Sequence, residues 1–326
     1  MTSKQRNSGW ARAMMMATVV ALSGCDEPAS TTAVATEQTP YKAVTVQHQL
    51  GTTVVNKLPE RVAALDMNEV DFLDQLGIAV VGMPKDFVPH FLGQYKDDAE
   101  VADLGSIVQP NLERVHASKP DLILLTSLQA NHYKELSEMA PSIQFDVDYR
   151  DSESGHIEVI KEHLATLGRV FGKESVAADK ARELDAKVEE ARRITRNRPE
   201  RALVVLHNNG AFSAFGVKSR YGFVFEALGV KPAGPDAQSS LHGQPISSEF
   251  IQQANPDIIY VVDRTAVMER RPTMSEENMG NPLLRQTNAW KNHRVIFVDP
   301  EAWYVTAASP TSLRLIIDDV VSAYAP

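Results

Sequence analysis

The fold follows from a motif that occurs twice, KPDLILL at residues 119–125 and NPDIIYV at residues 255–261. Each copy places a Pro-Asp pair directly before a run of apolar residues. Proline ends a helix, and a short continuous apolar run is typical of a strand that is buried on both faces. In both copies a glutamate, Glu113 or Glu249, opens the preceding helix seven residues before the proline. The repetition predicts two similar lobes, each built on its own sheet.

Further apolar runs of strand length flank both copies, and segments of helical length separate them. They lie at residues 62–65, 79–82, 202–206 and 295–298. Between the halves, residues 155–171 carry apolar side chains at the spacing of an amphipathic helix. We therefore predict an α/β fold of two Rossmann-like lobes with parallel sheets, joined by one long backbone helix. The predicted boundaries are 43–153 for the N-terminal lobe, 154–173 for the connecting helix and 174–326 for the C-terminal lobe.

The first 24 residues have the pattern of a signal peptide. Three basic residues precede an apolar run that is too short to span a bilayer. Residues 22–25, Leu-Ser-Gly-Cys, resemble a bacterial lipobox and contain Cys25, the only cysteine in the chain. We expect Cys25 to be lipidated and to begin the mature protein, with residues 25–42 as a flexible tether. The alternative is a signal peptide that ends near an unrelated cysteine.

Composition and motifs argue against several functions. A net charge of -9 leaves no basic surface for nucleic acid. One cysteine can form neither an internal disulfide nor a cysteine-based metal cluster. The chain contains no His-Glu-x-x-His and no Gly-x-Ser-x-Gly motif, and residues 168–174 depart from a P-loop in spacing and in a glutamate at the magnesium-binding position. An α/β enzyme is therefore a less favoured alternative.

Motifs along the whole chain after the tether resemble those of the helical-backbone class (class III) of ABC-transporter substrate-binding proteins, and within it the binders of ferric-catecholate siderophores. They lie at residues 81–86, 95–98, 104–106, 109–111, 219–223, 242–243, 248–250, 262–264 and 303–304. The resemblance implies a monomer that captures a ferric siderophore in the interlobe cleft and delivers it to an inner-membrane permease. It implies no permanently bound cofactor, because Fe(III) arrives as part of the ligand.

The same resemblance assigns the iron ligands. His242 and Tyr304 match positions that complete the coordination of Fe(III) when the siderophore supplies only four oxygens. Phenolate oxygen suits this hard ion, and imidazole is an acceptable donor. From the sequence alone His207, next to two asparagines, is a competing histidine, and a tyrosine after a tryptophan is ordinarily a packing residue. Trp303 is expected to form a wall of the site.

Arginines at family positions would bind the anionic complex. Arg220 and Arg264 match these positions, and a surface salt bridge is the alternative for each. Gln109 matches a polar position of the first lobe. Leu128 stands where close relatives have a third arginine. Its lack of charge favours a less anionic or mixed catecholate ligand over a hexadentate tris-catecholate.

Glu113 and Glu249 would, by the same resemblance, contact arginines on the two halves of the permease. Their ordinary explanation is a favourable interaction with the helix dipole. Asp26 after Cys25 resembles the inner-membrane retention signal of some Gram-negative lipoproteins, so the expected location is the periplasm, anchored to the inner membrane.

One alternative concerns the class of ligand, and one expectation concerns the motion of the lobes. Haem or a corrinoid is another bulky chelate that would accept histidine or tyrosine as a ligand. Hinge closure is expected to be small, because one stiff helix joins the lobes. The cleft would then be largely formed before the ligand binds.

Overall fold

Two separate sheets form the frame of the protein, one before and one after the helix α4 (His156–Phe171). The computed structural model describes residues 41–147, 155–234 and 243–325. Cys25 and His242 lie outside the described residues, as do the predicted signal peptide and most of the predicted tether. The α/β class and the helix that joins two lobes agree with the sequence prediction.

The first lobe is built on five parallel strands. They are β3 (Val62–Ala64), β4 (Val80–Met83), β5 (Ala102–Asp103), β6 (Leu122–Leu125) and β7 (Ser142–Gln144), in the spatial order β5-β4-β3-β6-β7. Its other elements are the antiparallel pair β1 (Val44–His48) and β2 (Gly51–Val55) and the helices α1 (Met67–Gln75), α2 (Leu112–Ala117) and α3 (Tyr133–Met139). All four residues of β6 are buried, as its continuous apolar run predicts.

The second lobe is built on a mixed sheet. Its strands are β8 (Arg201–Asn208), β9 (Ala211–Phe215), β10 (Lys231–Pro232), β11 (Gln244–Ile246), β12 (Ile258–Asp263) and β13 (Val295–Phe297). β8, β10, β12 and β13 are parallel as predicted, whereas β9 runs antiparallel to β8 and β11 antiparallel to β9. Asn209 and Gly210 both have positive φ and form the two-residue turn between β8 and β9. Such a turn joins only antiparallel neighbours.

Helices cover this sheet, and the last of them, α11, ends at Ser322. They are α5 (Glu174–Thr195), α6 (Gly222–Glu226), α7 (Ser248–Ala254), α8 (Arg264–Glu269), α9 (Glu276–Met279), α10 (Asn288–Lys291) and α11 (Pro310–Ser322), with one turn of π-helix at Glu301–Thr306. In the three described ranges, every helix is too short or too polar to cross a membrane.

Besides α4, contacts between α1 and the start of α11 join the lobes. Asn68 Oδ1 accepts the backbone N–H of Ala308 at 3.1 Å, and Asp71 Oδ2 accepts that of Thr311 at 2.7 Å. Both side chains are buried on α1. Thr311 lies in the first turn of α11, where N–H groups have no partner within their own helix, and Ala308 lies just before this helix. The first lobe therefore supplies an acceptor that the start of α11 needs. These contacts support the prediction of little hinge closure.

Candidate functional site

A cavity of about 380 Å³ lies between the carboxyl ends of the strands of the two lobes. This edge is where α/β proteins usually bind ligands. The first-lobe wall is mostly apolar and includes the carboxylates of Asp66 and Asp146. The second-lobe wall includes Arg220, Arg264 and Tyr304, so the cleft gathers three of the residues that the sequence assigned to the site.

Both arginines hold Tyr304. Arg264 donates from Nε to the phenol oxygen at 2.6 Å, and Arg220 donates from Nη2 to the backbone carbonyl of Tyr304 at 2.8 Å. Their guanidinium carbons lie 5.4 and 5.5 Å from the centre of the tyrosine ring. The second-lobe wall therefore concentrates positive charge around one phenol.

Arg264 is positioned by its place in the chain. It begins α8 directly after the buried strand β12, and Asp263 accepts the N–H of Ala266 to cap this helix. Its Nη1 donates to Asn208 Oδ1 at 2.9 Å. Within the described ranges no carboxylate forms a salt bridge with Arg264. Its hydrogen bonds go to neutral oxygens, which leaves its charge for a ligand.

A tight turn positions Arg220. Gly222 lies against the backbone of Val217, and a Cβ at position 222 would overlap the carbonyl oxygen of Val217. The hydroxyl of Tyr221 donates to the carbonyl of Trp303 at 2.9 Å. The turn that carries Arg220 is thereby tied to the π-helix that carries Tyr304.

Trp303 is not a wall of the cavity, which corrects the expectation. Its side chain is 0% exposed and packs in the core near Tyr260, with ring centres 6.1 Å apart. Its Nε1 donates to Asp319 at 2.8 Å. Neighbouring residues of a helix point in different directions, so Tyr304 can face the cavity while Trp303 anchors it from behind.

The π-helix ends at Ala307, which adopts the left-handed conformation with a φ of 61°. The carbonyl of Ala307 accepts a 2.9 Å hydrogen bond from Nε2 of His156, the first residue of α4. Burial lowers the pKa of His156 to about 4, so the ring is neutral at neutral pH. The connecting helix is therefore bonded directly to the end of the segment that carries Tyr304.

His207, the competing histidine, is not available as a ligand. It is 6% exposed, and its Nδ1 lies 2.9 Å from Asp263 Oδ1. Its Nε2 accepts the backbone N–H of Gly210 at 2.9 Å. Both ring nitrogens thus hold the end of β8 and its turn, and the ring does not line the cavity.

The first-lobe wall contains Leu128, as its match to a family arginine position implied. Leu128 is 49% exposed and lies at the cavity with Val108 and Phe145. Gln109 is exposed and is not among the residues that line the cavity, so its role as a ligand contact stays a prediction. A buried glutamine that the sequence analysis missed, Gln129, supports this wall. Its Nε2 donates to the carbonyl of Ile107, and its Oε1 accepts the N–H of Thr126 at 2.9 Å.

Asp66 and Asp146 were also missed, although each follows the carboxyl end of a predicted or observed first-lobe strand. Burial raises the pKa of Asp66 to about 6, even though Asn68 donates to Oδ1 from its backbone and from its side chain, at 2.8 and 2.7 Å. Burial also raises the pKa of Asp146. The first-lobe wall is therefore apolar and acidic, in contrast to the basic second-lobe wall.

Glu113 and Glu249 occupy equivalent, exposed positions in the two lobes. Each is the second residue of its helix, α2 or α7, and the next strand is β6 or β12. The hydroxyl of Ser247 lowers the pKa of Glu249 by hydrogen bonding. Contact of these glutamates with a permease stays a prediction.

Two proteins that are named for the siderophores they bind are similar to this chain in sequence. The chain is 55% identical over 313 residues to the ferric-anguibactin-binding protein FatB of Vibrio anguillarum, which covers 96% of each chain. It is 34% identical to the petrobactin-binding protein YclQ of Bacillus subtilis, over 94% of this chain and 95% of the relative.

A solved structure is similarly close. The siderophore-binding protein BauB, bound to a complex between two molecules of acinetobactin and ferric iron, is 61% identical. It matches with a TM-score of 0.83 over 87% of this chain and 99% of its own. The periplasmic binding protein family matches residues 62–302, a stretch that includes the main sheet of each lobe. The chain is thus a member of the periplasmic binding protein family.

Proposed function

We propose that this protein binds a ferric siderophore, of the catecholate or mixed catecholate type, in the interlobe cavity and delivers it to the permease of an ABC importer. The observation that carries this proposal is the contact of Arg220 and Arg264 with Tyr304. Two cations and a phenol at one wall suit an anionic complex of a hard metal ion. FatB is named for ferric anguibactin and YclQ for petrobactin, and BauB is bound to ferric iron with acinetobactin. These ligands support the same ligand class.

Tyr304 would supply a phenolate oxygen to iron that the siderophore leaves incompletely coordinated. On binding, the phenol would release its proton to solvent and exchange the hydrogen bond from Arg264 for a bond to the metal, and Arg264 would turn to the ligand oxygens. His242 keeps its proposed role as the second iron ligand on the basis of its sequence motif. A tetradentate siderophore would then reach six donors with both side chains.

The first-lobe wall favours a ligand of low net charge. The described cations of the cavity wall, Arg220 and Arg264, both belong to the second lobe. Leu128 adds apolar surface where the resemblance places a third arginine. A mixed ligand that combines a catecholate with a neutral chelating group fits this wall better than a triply anionic tris-catecholate.

The remaining steps of the proposal concern location and delivery. Cys25 would carry the lipid that holds the protein at the periplasmic face of a Gram-negative inner membrane. Glu113 and Glu249 would dock on the two halves of the permease, because they take equivalent exposed positions in the two lobes. Both steps rest on sequence motifs and on this equivalence.

A fluorescence titration with ferric complexes of tetradentate catecholates tests the proposal. We expect tight quenching by the wild type, weaker binding by Tyr304→Phe and by His242→Ala, and a shifted visible band in both variants. Tyr133→Phe, which changes a tyrosine outside the cavity, is the matched control. A sharp Soret band after incubation with haem, without binding of any ferric catecholate, would show the alternative ligand class.

A further inference from the structure

The cavity has opposite character on its two walls. Arg220 and Arg264 belong to the second lobe, and Asp66 and Asp146 belong to the first lobe. We propose that the two carboxylates form a subsite for a protonated or N–H-donating nitrogen group of the siderophore. The ligand would lie with its iron-binding oxygens on the second lobe and this nitrogen on the first. This inference rests on the proposed function and specifies its ligand.

Within the described part of the chain, neither carboxylate uses its full hydrogen-bonding capacity. Asp146 Oδ2 accepts hydrogen bonds from the backbone N–H of Ser127 at 2.8 Å and from Nε2 of Gln144 at 2.7 Å, and the hydroxyl of Ser127 also hydrogen-bonds this carboxylate. Asp66 Oδ1 accepts both donors of Asn68, while Oδ2 has only a 3.4 Å contact with the hydroxyl of Thr126. A carboxylate has about four acceptor positions, so both retain capacity for a ligand.

Within the three described ranges, no cation balances the two carboxylates. Among the residues of the three described ranges, neither Asp66 nor Asp146 has a salt-bridge partner. Asp66 is only 2% exposed, and burial disfavours the ionised form of both groups. A buried carboxylate without a cation is destabilising, and a cationic nitrogen of the ligand would relieve this cost.

Structural roles do not require aspartate at either position. Asp66 caps α1 through Oδ1, and asparagine or serine caps a helix equally well. Asp146 orients Ser127 through Oδ2, which an amide oxygen could also do. The negative charges are therefore explained by a ligand better than by the fold.

A matched pair of synthetic ligands tests the subsite. Two ferric bis-catecholates would carry the same tetradentate donor set, one with a free primary amine on its linker and one with that amine acetylated. We expect the wild type to bind the amine complex roughly tenfold more tightly, the effect of one charge-assisted hydrogen bond. Asp146→Asn should abolish this preference, and a urea unfolding curve shows whether the variant is folded. Asp66→Asn is a second, independent variant.

The outcomes separate the two proposals. If the wild type binds both complexes equally, or if both asparagine variants keep the preference, the subsite is wrong and the proposed function stands. If the wild type binds neither complex, the proposed function fails and the subsite fails with it.

Discussion

Nε of Arg264 donates a 2.6 Å hydrogen bond to the phenol oxygen of Tyr304, while Nη1 of the same guanidinium donates to Asn208. One side chain thus fixes the tyrosine to the end of β8. The planar fork of arginine allows both bonds at once, whereas a lysine ammonium on a flexible stem would have to choose between them.

We therefore predict that Arg264→Lys weakens binding of a ferric catecholate about tenfold although the charge is unchanged. The titration described above measures this loss. Arg285→Lys, remote from the cavity and stacked on Trp290, should bind like the wild type. Unchanged affinity of the Arg264 variant would mean that only its charge matters.

Gly222→Ala should disrupt the turn that carries Arg220. The added Cβ would overlap the carbonyl oxygen of Val217, so the backbone must move. We expect a loss of about 1–3 kcal/mol in the free energy of unfolding in urea, together with weaker ligand binding. Gly93→Ala adds the same methyl group where no atom lies within 4 Å and should leave both quantities unchanged.

Asp66→Asn should stabilise the protein at pH 7.5. The pKa of Asp66 is raised to about 6 in the folded protein, above its ordinary value of 3.8. Folding therefore favours the protonated form, and the penalty is fully present above pH 6 and is relieved as the pH falls toward 3.8. We expect a gain on the order of 2 kcal/mol at pH 7.5 that shrinks at pH 4.5, measured by urea unfolding of both proteins. A gain independent of pH would contradict the assignment.

Trp303→Phe tests whether the indole of Trp303 supports the site from the core or contacts the bound complex. The variant leaves Asp319 without its indole donor, and burial raises the pKa of this carboxyl to about 6. We expect a loss of about 1–3 kcal/mol in stability, with the visible band of the bound ferric complex retained. Tyr304→Phe should show the reverse, a changed band at nearly unchanged stability. A changed visible band in the Trp303 variant would mean that the indole does contact the bound complex.

The sequence predicts the framework because strands and helices are local features. The repeated Pro-Asp motif and the run at residues 155–171 are enough to place two sheets and α4. The antiparallel strand β9 was missed, although Asn209-Gly210 between two apolar runs is a strong hairpin signal.

Side-chain direction explains the errors at the site. Trp303 and Tyr304 are adjacent in sequence, yet one fills the core and the other faces the cavity, because a π-helix turns between them. Gln109 and Gln129 are both glutamines of the first lobe, and only the second is buried at the wall. A motif identifies the segment that reaches a site, and only the backbone geometry shows which residue of that segment points into it.

The hydrogen bonds from Ala308 and Thr311 to α1 would break if the cleft opened widely, so we expect the protein to keep nearly one shape. Such a carrier presents the same outer face whether it is empty or full. We expect empty copies to compete with loaded ones for the importer. The rate of iron uptake would then follow the fraction of carriers that hold cargo, and making more carrier without more siderophore would slow import rather than speed it.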